Sequence, residues 1–325
     1  MISKEGCTVY PVNVPTTHGN LKTINFYLRE EAGSLTLVDA GWRLEDGQDA
    51  LLRTLAANGF ALSDISGIFL THNHEDHVGL VNWIAEQTDV FVYAHERSIP
   101  YLKRDKDFFA RRIAFYKRLY EEMGCGAMGS QRIEQLQRTA LEREGIQIDA
   151  DILPLREQDA IAGLTAIETP GHSPDHLVYY DAKRKWLFSG DHLISHISTN
   201  AIVEPDAEGN RIRTLAQYLH SLRKCLALDV EVTFTGHGDL IRQHKDLIEL
   251  RLGRVEHKIG RIINAMKDGN TTADQIARAI YARQYQSEFS LVMSEIIGHL
   301  DYLETQKRVE KQMKNGVWQY YAAAV

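Results

Sequence analysis

Between residues 24 and 94, short apolar runs of strand length alternate with stretches of helical spacing. Residues 24–28 and 35–38 flank the turn-like Glu30-Glu31-Ala32-Gly33-Ser34 and predict a hairpin. From residue 46 to 58, Ala50, Leu51, Leu52, Leu55 and Ala56 recur at helical spacing, and Gly59 follows where a helix would end. Residues 65–70 predict a buried strand, 79–86 a helix and 90–94 the next strand, the alternation of an α/β protein. The character changes over about 96–145. This stretch is rich in Arg, Lys, Tyr and Phe and is broken at Gly124-Cys125-Gly126-Ala127-Met128-Gly129, which predicts two helices inserted into the core domain. Strand signals return at 161–168, 177–180, 185–189 and 230–235. Beyond about Gly253 the pattern is mainly helical. Thr271-Thr272-Ala273-Asp274 looks like a helix start, 294–305 is an amphipathic helix, and Asn315-Gly316 joins two short runs as a hairpin. Helix, helix and hairpin predict a small winged-helix-like module. The expected organisation is a core domain over 1–252 and a C-terminal domain over 253–325.

The polar residues that interrupt these runs carry the chemistry. His72, His74, Asp76 and His77 lie within six residues, directly after a predicted strand. A strand-end loop can present such side chains to one cavity, whereas a regular helix or strand would divide them between faces. Imidazole nitrogens with carboxylate oxygens suit borderline divalent ions such as zinc, manganese or iron. Four potential ligands exceed what one catalytic ion usually takes from a protein while keeping an open position, so the excess points to two ions. Three later strand ends supply further donors: His172 and His176 in Thr169-Pro170-Gly171-His172-Ser173-Pro174-Asp175-His176, Asp191 in Ser189-Gly190-Asp191-His192, and His237 in Thr235-Gly236-His237-Gly238. An earlier strand ends at Val38-Asp39-Ala40-Gly41.

His72-x-His74-x-Asp76-His77 followed in order by His172, Asp191 and His237 resembles the metallo-β-lactamase superfamily over roughly residues 20–245. The resemblance implies an αββα sandwich with two divalent metal ions, expected to be zinc with manganese or iron as alternatives, at one end of the sheets. It implies that His72, His74 and His172 hold one ion, that Asp76, His77 and His237 hold the other, and that Asp191 bridges them. Asp39 and His176 match positions that contact the ligands rather than the ions. The reaction implied is attack by a metal-bridging hydroxide, with Asp76 orienting it and taking its proton. His74, where flavin-linked di-iron members carry Glu, disfavours that branch. The absence of a cysteine near Asp191 disfavours the mononuclear lactamase pattern. A metallo-β-lactamase core with a winged-helix-like tail is similar to the lactamase-β-2-like hydrolases, some of which cleave single-stranded RNA. The 96–145 insertion departs from that group.

Composition narrows the choice of function. Net charge is −7, and from residue 254 onward ten Lys/Arg stand against eight Asp/Glu, too weak a balance to imply phosphate-backbone binding. On the full ligand set that the resemblance implies, together with an insertion able to cover a pocket, the leading expectation is a metal-dependent hydrolase of an ester, thioester or related acyl bond in a small molecule. The alternatives are a metal-dependent endoribonuclease or phosphodiesterase acting on RNA, and a non-catalytic nucleic-acid-binding regulator. The insertion, with its aromatics and Arg111, Arg112, Lys117 and Arg118, is expected to pack on the core, to cover the substrate pocket, or to form a homodimer surface. Cys7, Cys125 and Cys225 are scattered, without CxxC spacing, which favours a reducing, cytoplasmic setting. No basic, apolar leader is read at the start, and no run approaches the length of a membrane span.

Overall fold

A computed structural model describes residues 1–142 and 146–323. The end of the expected 96–145 insertion and the last two positions of the expected 253–325 region lie outside the described residues. In chain order the structure runs β1 (Ile2–Lys4), β2 (Cys7–Pro15), β3 (Thr23–Glu31), β4 (Ser34–Val38), α1 (Glu45–Ala57), β5 (Ile65–Phe69), α2 (Glu75–Val78), α3 (Val81–Ala85) and β6 (Phe91–His95). It continues with α4 (Ile99–Leu102), α5 (Lys106–Glu122), α6 (Gly126–Glu142), β7 (Ile152–Leu155), β8 (Ala160–Ile161), β9 (Leu164–Glu168), β10 (Leu177–Asp181) and β11 (Trp186–Gly190). The remainder is α7 (Thr214–Leu226), β12 (Val232–Thr235), α8 (His244–Lys267), α9 (Ala273–Ile280), α10 (Phe289–Thr305), β13 (Val309–Lys314) and β14 (Val317–Ala322).

Two sheets stack face to face. The first has the order β1-β2-β3-β4-β5-β6-β7, antiparallel as far as β4 and parallel from β4 onward. The second has the order β12-β11-β10-β9-β8, with β11 and β12 parallel and the rest antiparallel. Alternation along each strand distributes the apolar side chains to two faces. In β3, Tyr27 joins Phe69, Tyr179, Phe188 and Phe234 between the sheets. Phe26 and Leu28 face the other way, onto Leu51 and Leu55 of α1. In the second sheet Leu177 and Tyr179 point inward, while Val178 and Leu187 meet Leu219 and Leu222 of α7. The result is helix, sheet, sheet, helix, the expected αββα sandwich.

Several elements differ from expectation for identifiable reasons. The expected helix 79–86 is α3 (Val81–Ala85), preceded by the separate one-turn α2 (Glu75–Val78). Between them the amides of Gly79 and Leu80 donate to the carbonyls of Gly41 (2.8 Å) and Ala40 (3.0 Å) instead of to the preceding turn. The expected strand 161–168 folds back on itself as β8 and β9, because Ala162 and Gly163 take φ of 51° and 75°. β1 and β2 were not expected: Pro11 and Pro15 interrupt β2, yet it pairs with β3 from Cys7 to Pro15. The expected junction at 252/253 falls inside α8, a helix of 24 residues.

The insertion and the C-terminal segment pack on each other. Phe115, Leu119 and Tyr120 of α5 share one apolar cluster with Phe289, Val292 and Ile296 of α10. The ring centroids of Tyr120 and Phe289 are 5.1 Å apart. Helices α8, α9 and α10 are followed by the β13–β14 hairpin, closed at Asn315-Gly316, where both residues have positive φ. Thr272 caps α9 in a reciprocal capping box with Gln275, as the sequence predicts.

Candidate metal centre

β9, β11 and β12 run in the same direction, so their carboxyl ends open at one edge of the second sheet. The carboxyl ends of β4 and β5 meet them from the first. Backbone bonds fix this junction: Leu177 N donates to Thr71 O (2.7 Å), Asn25 N to Gly236 O (2.8 Å) and Gly236 N to Gly190 O (2.8 Å). Regular pairing ends at these places, and the strand-end turns project their side chains into the shared space.

The seven residues expected to hold metal converge there. His72, His74 and His172 offer ligand atoms that all lie within 4.8 Å of one another, as do Asp76, His77 and His237, and as do His72, His77 and Asp191. Nδ1 of His74 is 3.0 Å from Nε2 of His172. Asp191 stands between the two groups. Its Oδ2 is 3.5 Å from His172 Nε2, and its Oδ1 is 3.3 Å from His77 Nε2 and 3.1 Å from His237 Nε2. Asp76 Oδ2 lies 3.3 Å from His237 Nε2.

The opposite edge of each imidazole is anchored. Nδ1 of His237 is 2.8 Å from the carbonyl of Thr23, and Nδ1 of His172 is 3.0 Å from that of Asn200. Nδ1 of His77 is 2.8 Å from Asp39 Oδ2. A proton held on Nδ1 by an oxygen leaves the lone pair of Nε2 facing the cluster. Asp39 also accepts from the Thr71 amide (2.8 Å) and hydroxyl (2.9 Å). His176 is placed as expected, against a ligand: its Nε2 accepts from the Asp191 amide at 3.3 Å and its Nδ1 meets Thr169 Oγ1 at 2.9 Å. His192 packs edge-on against Tyr218 of α7, with ring centroids 5.4 Å apart. Away from the cluster, His95, His244 and His299 are also buried.

The electrostatics divide the histidines. Burial, followed by the charges of His77 and His74, pulls His72 well below the usual imidazole range. Burial, then His74, lowers His172 to about 4. Burial, then His192, lowers His176 well below its usual value. These rings are held neutral, the form a metal requires. Burial would also lower His77 and His237, but the carboxylates outweigh it. Asp39 and Asp191 raise His77 well above its usual value, and Asp191 and Asp76 push His237 up to about 10. The same carboxylates that retain a proton there would favour a metal cation in its place.

Two further observations fit a cation. Nε2 of His72, His77 and His237 and Oδ1 of Asp191 are buried without a hydrogen-bond partner. Four inward-facing ligand atoms left in this way would be costly unless something positive satisfied them. Gly236 keeps the space clear, since a Cβ at that position would stand 2.6 Å from Asp191 Oδ1 and 2.7 Å from His77 Cε1.

The cluster forms the floor of a cavity of about 2040 Å³, which includes His74, Asp76 and His172 in its lining. Its walls come from the insertion (Leu102, Phe109, Met128, Leu136), from the segment leading into α10 (Tyr281) and from the first turn of α10 (Leu291). The insertion therefore packs on the rest of the fold and also covers the cavity. Arg112 is bonded to both carboxylate oxygens of Glu204, and Arg118 donates to the Gly209 carbonyl (2.7 Å) on the outside. Sequence reading missed Asn200, Thr23 and Glu204. The first two act through backbone carbonyls, which any residue possesses, and Glu204 carries no motif.

A model of the metallo-beta-lactamase superfamily matches residues 19–237. The chain is 31% identical to a probable metallo-hydrolase, YqjP, of Bacillus subtilis, over 93% of each chain. It is 20% identical to an atrochrysone carboxyl ACP thioesterase of Aspergillus fumigatus, over 85% of this chain and 71% of that one. The crystal structure of a metallo-beta-lactamase family protein from Thermus thermophilus is similar along almost the whole chain. Its TM-score is 0.77 and its identity 26%, with 97% of this chain and 98% of that one covered. The sandwich, the strand-end histidines and aspartates and these similarities together place the chain in the metallo-beta-lactamase superfamily.

Proposed function

We propose that the protein is a hydrolase dependent on two divalent metal ions, acting on an ester, thioester or related acyl bond of a small molecule. The observation that carries this reading is the position of Asp191 between two triads of ligand atoms on the floor of a large cavity with both polar and apolar lining. In it, His72, His74 and His172 hold one ion, and Asp76, His77 and His237 hold the other, with Asp191 shared. The mixed imidazole and carboxylate donors suit zinc, with manganese or iron as alternatives. Bound ions would supply a water whose pKa is lowered towards about 7 and a Lewis acid for the scissile carbonyl.

The chain's own residues do the rest. Asp76 is half-buried and lines the cavity, so its carboxylate can orient the attacking water and take its proton. Asp39 and His176 hold His77 and Asp191 in place. The insertion and the segment before α10 limit the access of bulk water. The charge of the cavity favours an acyl substrate over a polyanion: its lining carries seven Asp/Glu and five Lys/Arg. The names of the two curated relatives, a metallo-hydrolase and an acyl-carrier thioesterase, agree with this class.

The test is a panel assay of metal-reconstituted protein with a lactone, an acyl thioester, a β-lactam, a bis-aryl phosphodiester and a short RNA. The expected result is greatest kcat/KM on the thioester or lactone, abolished by chelation and restored by metal. Turnover of the phosphodiester or RNA without acyl hydrolysis would replace this reading with the nuclease one.

A further inference from the structure

The wall of the cavity carries an arginine whose surroundings differ from those of the other cations. Five Lys/Arg side chains line the cavity: Arg43, Arg104, Arg112, Arg132 and Lys258. Arg112 is neutralised by Glu204, Lys258 by Glu295, and Arg43 is exposed at the rim. Arg104 has no carboxylate partner among the described residues. Its guanidinium lies 4.2 Å from the centroid of the Phe109 ring, which holds it against the cavity wall. Arg132, on α6, donates to Gln135 (2.7 Å) while its Nε is buried without a partner.

The backbone at Arg104 adds an independent observation. Its φ is 55°, the left-handed region where a residue with a β-carbon is disfavoured by about 1–2 kcal/mol and where Gly or Asn normally follows a helix such as α4. An arginine at this position loses local stability relative to asparagine, and the residue that remains is a cation facing the cavity. Burial, then the positive charge of Arg112, lowers its pKa, and the guanidinium keeps its charge at neutral pH.

The cavity is also large. At about 2040 Å³ it exceeds the roughly 300–1,000 Å³ of an ordinary small-molecule site. Leu102, Phe109, Ile113, Met128 and Leu136 contribute apolar lining to the same cavity.

We propose that Arg104, seated on Phe109, with Arg132 as a second cation of the same cavity lining, forms a subsite for an anionic group of the substrate. The substrate class is then an acyl ester or thioester with an apolar portion and a carboxylate or phosphate. This rests on the acyl-hydrolase reading for the identity of the bond cleaved, but the anion subsite can be measured without any turnover.

The probes are octyl phosphate, octanoate and octanol, titrated calorimetrically into the metal-free full-length protein. The variants are Arg104→Asn, Arg104→Lys and Arg132→Met. Asparagine tolerates the left-handed backbone, so Arg104→Asn should melt no lower than the parent. It should nonetheless reduce the preference for the anionic probes over octanol at least ten-fold. Arg104→Lys should retain part of that preference, and Arg132→Met should lower it by a smaller factor. Comparing octyl phosphate with octanoate identifies which anion the subsite takes. Equal binding of octanol and both anions by the parent overturns the proposal, as does an unchanged preference in Arg104→Asn. If the anions bind through Arg104 while no acyl substrate is hydrolysed, the subsite stands and the acyl-hydrolase reading fails.

Discussion

Replacing Asp39 by Asn tests whether the metal floor depends on the orientation of His77. Asp39 is 3% exposed and accepts three hydrogen bonds, from the Thr71 amide (2.8 Å), the Thr71 hydroxyl (2.9 Å) and His77 Nδ1 (2.8 Å). Its backbone φ is 59°, which asparagine also tolerates, so the change introduces no new strain. An asparagine oxygen can still accept from the Thr71 amide. Its NH2 then faces the Thr71 hydroxyl, which can accept, and His77 Nδ1, which cannot while it carries a proton. The ring must either lose its anchor or move that proton to Nε2, the atom directed at Asp76, Asp191 and His237. A protonated Nε2 cannot ligate. Loss of such an orienting partner typically costs 10–100-fold in metal affinity, or about 1.4–2.7 kcal/mol. The loss should be greatest at the ion of Asp76, His77 and His237, because His172 of the other triad is anchored on the Asn200 carbonyl and His72 reaches Asp39 only through the Thr71 hydroxyl. The assay is chelator competition with zinc on the parent and Asp39→Asn, with melting temperature as a control for folding. Affinity within two-fold of the parent at both sites would refute the argument that Asp39 fixes His77.

Other changes probe separate parts of the fold. Asp191→Ala should lower bound metal further than His72→Ala, since both triads lose a ligand, and should nearly abolish turnover; two full equivalents retained in the purified variant would contradict the shared role. Gly236→Ala needs no unusual backbone, yet its Cβ would stand 2.6 Å from Asp191 Oδ1. It should reduce metal affinity ten-fold or more with a much smaller effect on the apoprotein's urea midpoint, and unchanged metal binding would show that the space is not used. Asp301 of α10 is buried beside Arg211 (2.8 Å), and burial, outweighing that arginine, pushes its carboxyl up to about 6. Its neutral form is favoured in the fold, so this contribution is complete below about 4 and is lost as pH rises through about 6. The change across that window is roughly 3 kcal/mol, at about 1.4 kcal/mol per pH unit. Asp301→Asn should therefore gain on the parent in melting temperature between pH 4 and pH 7, and a difference independent of pH would count against it.

How much of this could be read from the chain differs between the floor of the cavity and its walls. The floor was legible because ligands must sit where regular pairing ends. Apolar runs mark the strands, and Pro170, Gly171, Gly190, Gly236 and Gly238 mark the turns that carry His172, Asp191 and His237. What anchors those ligands was only partly legible. Asp39 is a side chain in a recognisable place, but His172 and His237 lean on the carbonyls of Asn200 and Thr23, and a carbonyl leaves no trace in residue type. Punctuation also misled. Gly253 and Gly260 lie inside α8, where a Cβ at either position would meet nothing within 4 Å, so glycine there costs helix propensity without ending the helix. Gly79, by contrast, lies between α2 and α3 where its amide bonds to the Gly41 carbonyl and a Cβ would stand 2.1 Å from the Arg43 amide nitrogen, so the close backbone approach requires glycine. Only the tertiary neighbour distinguishes these cases. The walls were the least legible. Arg104, Glu204 and Leu291 come from distant parts of the chain and share a cavity because α5 packs on α10 through contacts such as Tyr120 on Phe289. The reacting groups are local in sequence and can be read there, whereas the groups that choose the substrate are brought together only by packing and have to be seen in the folded chain.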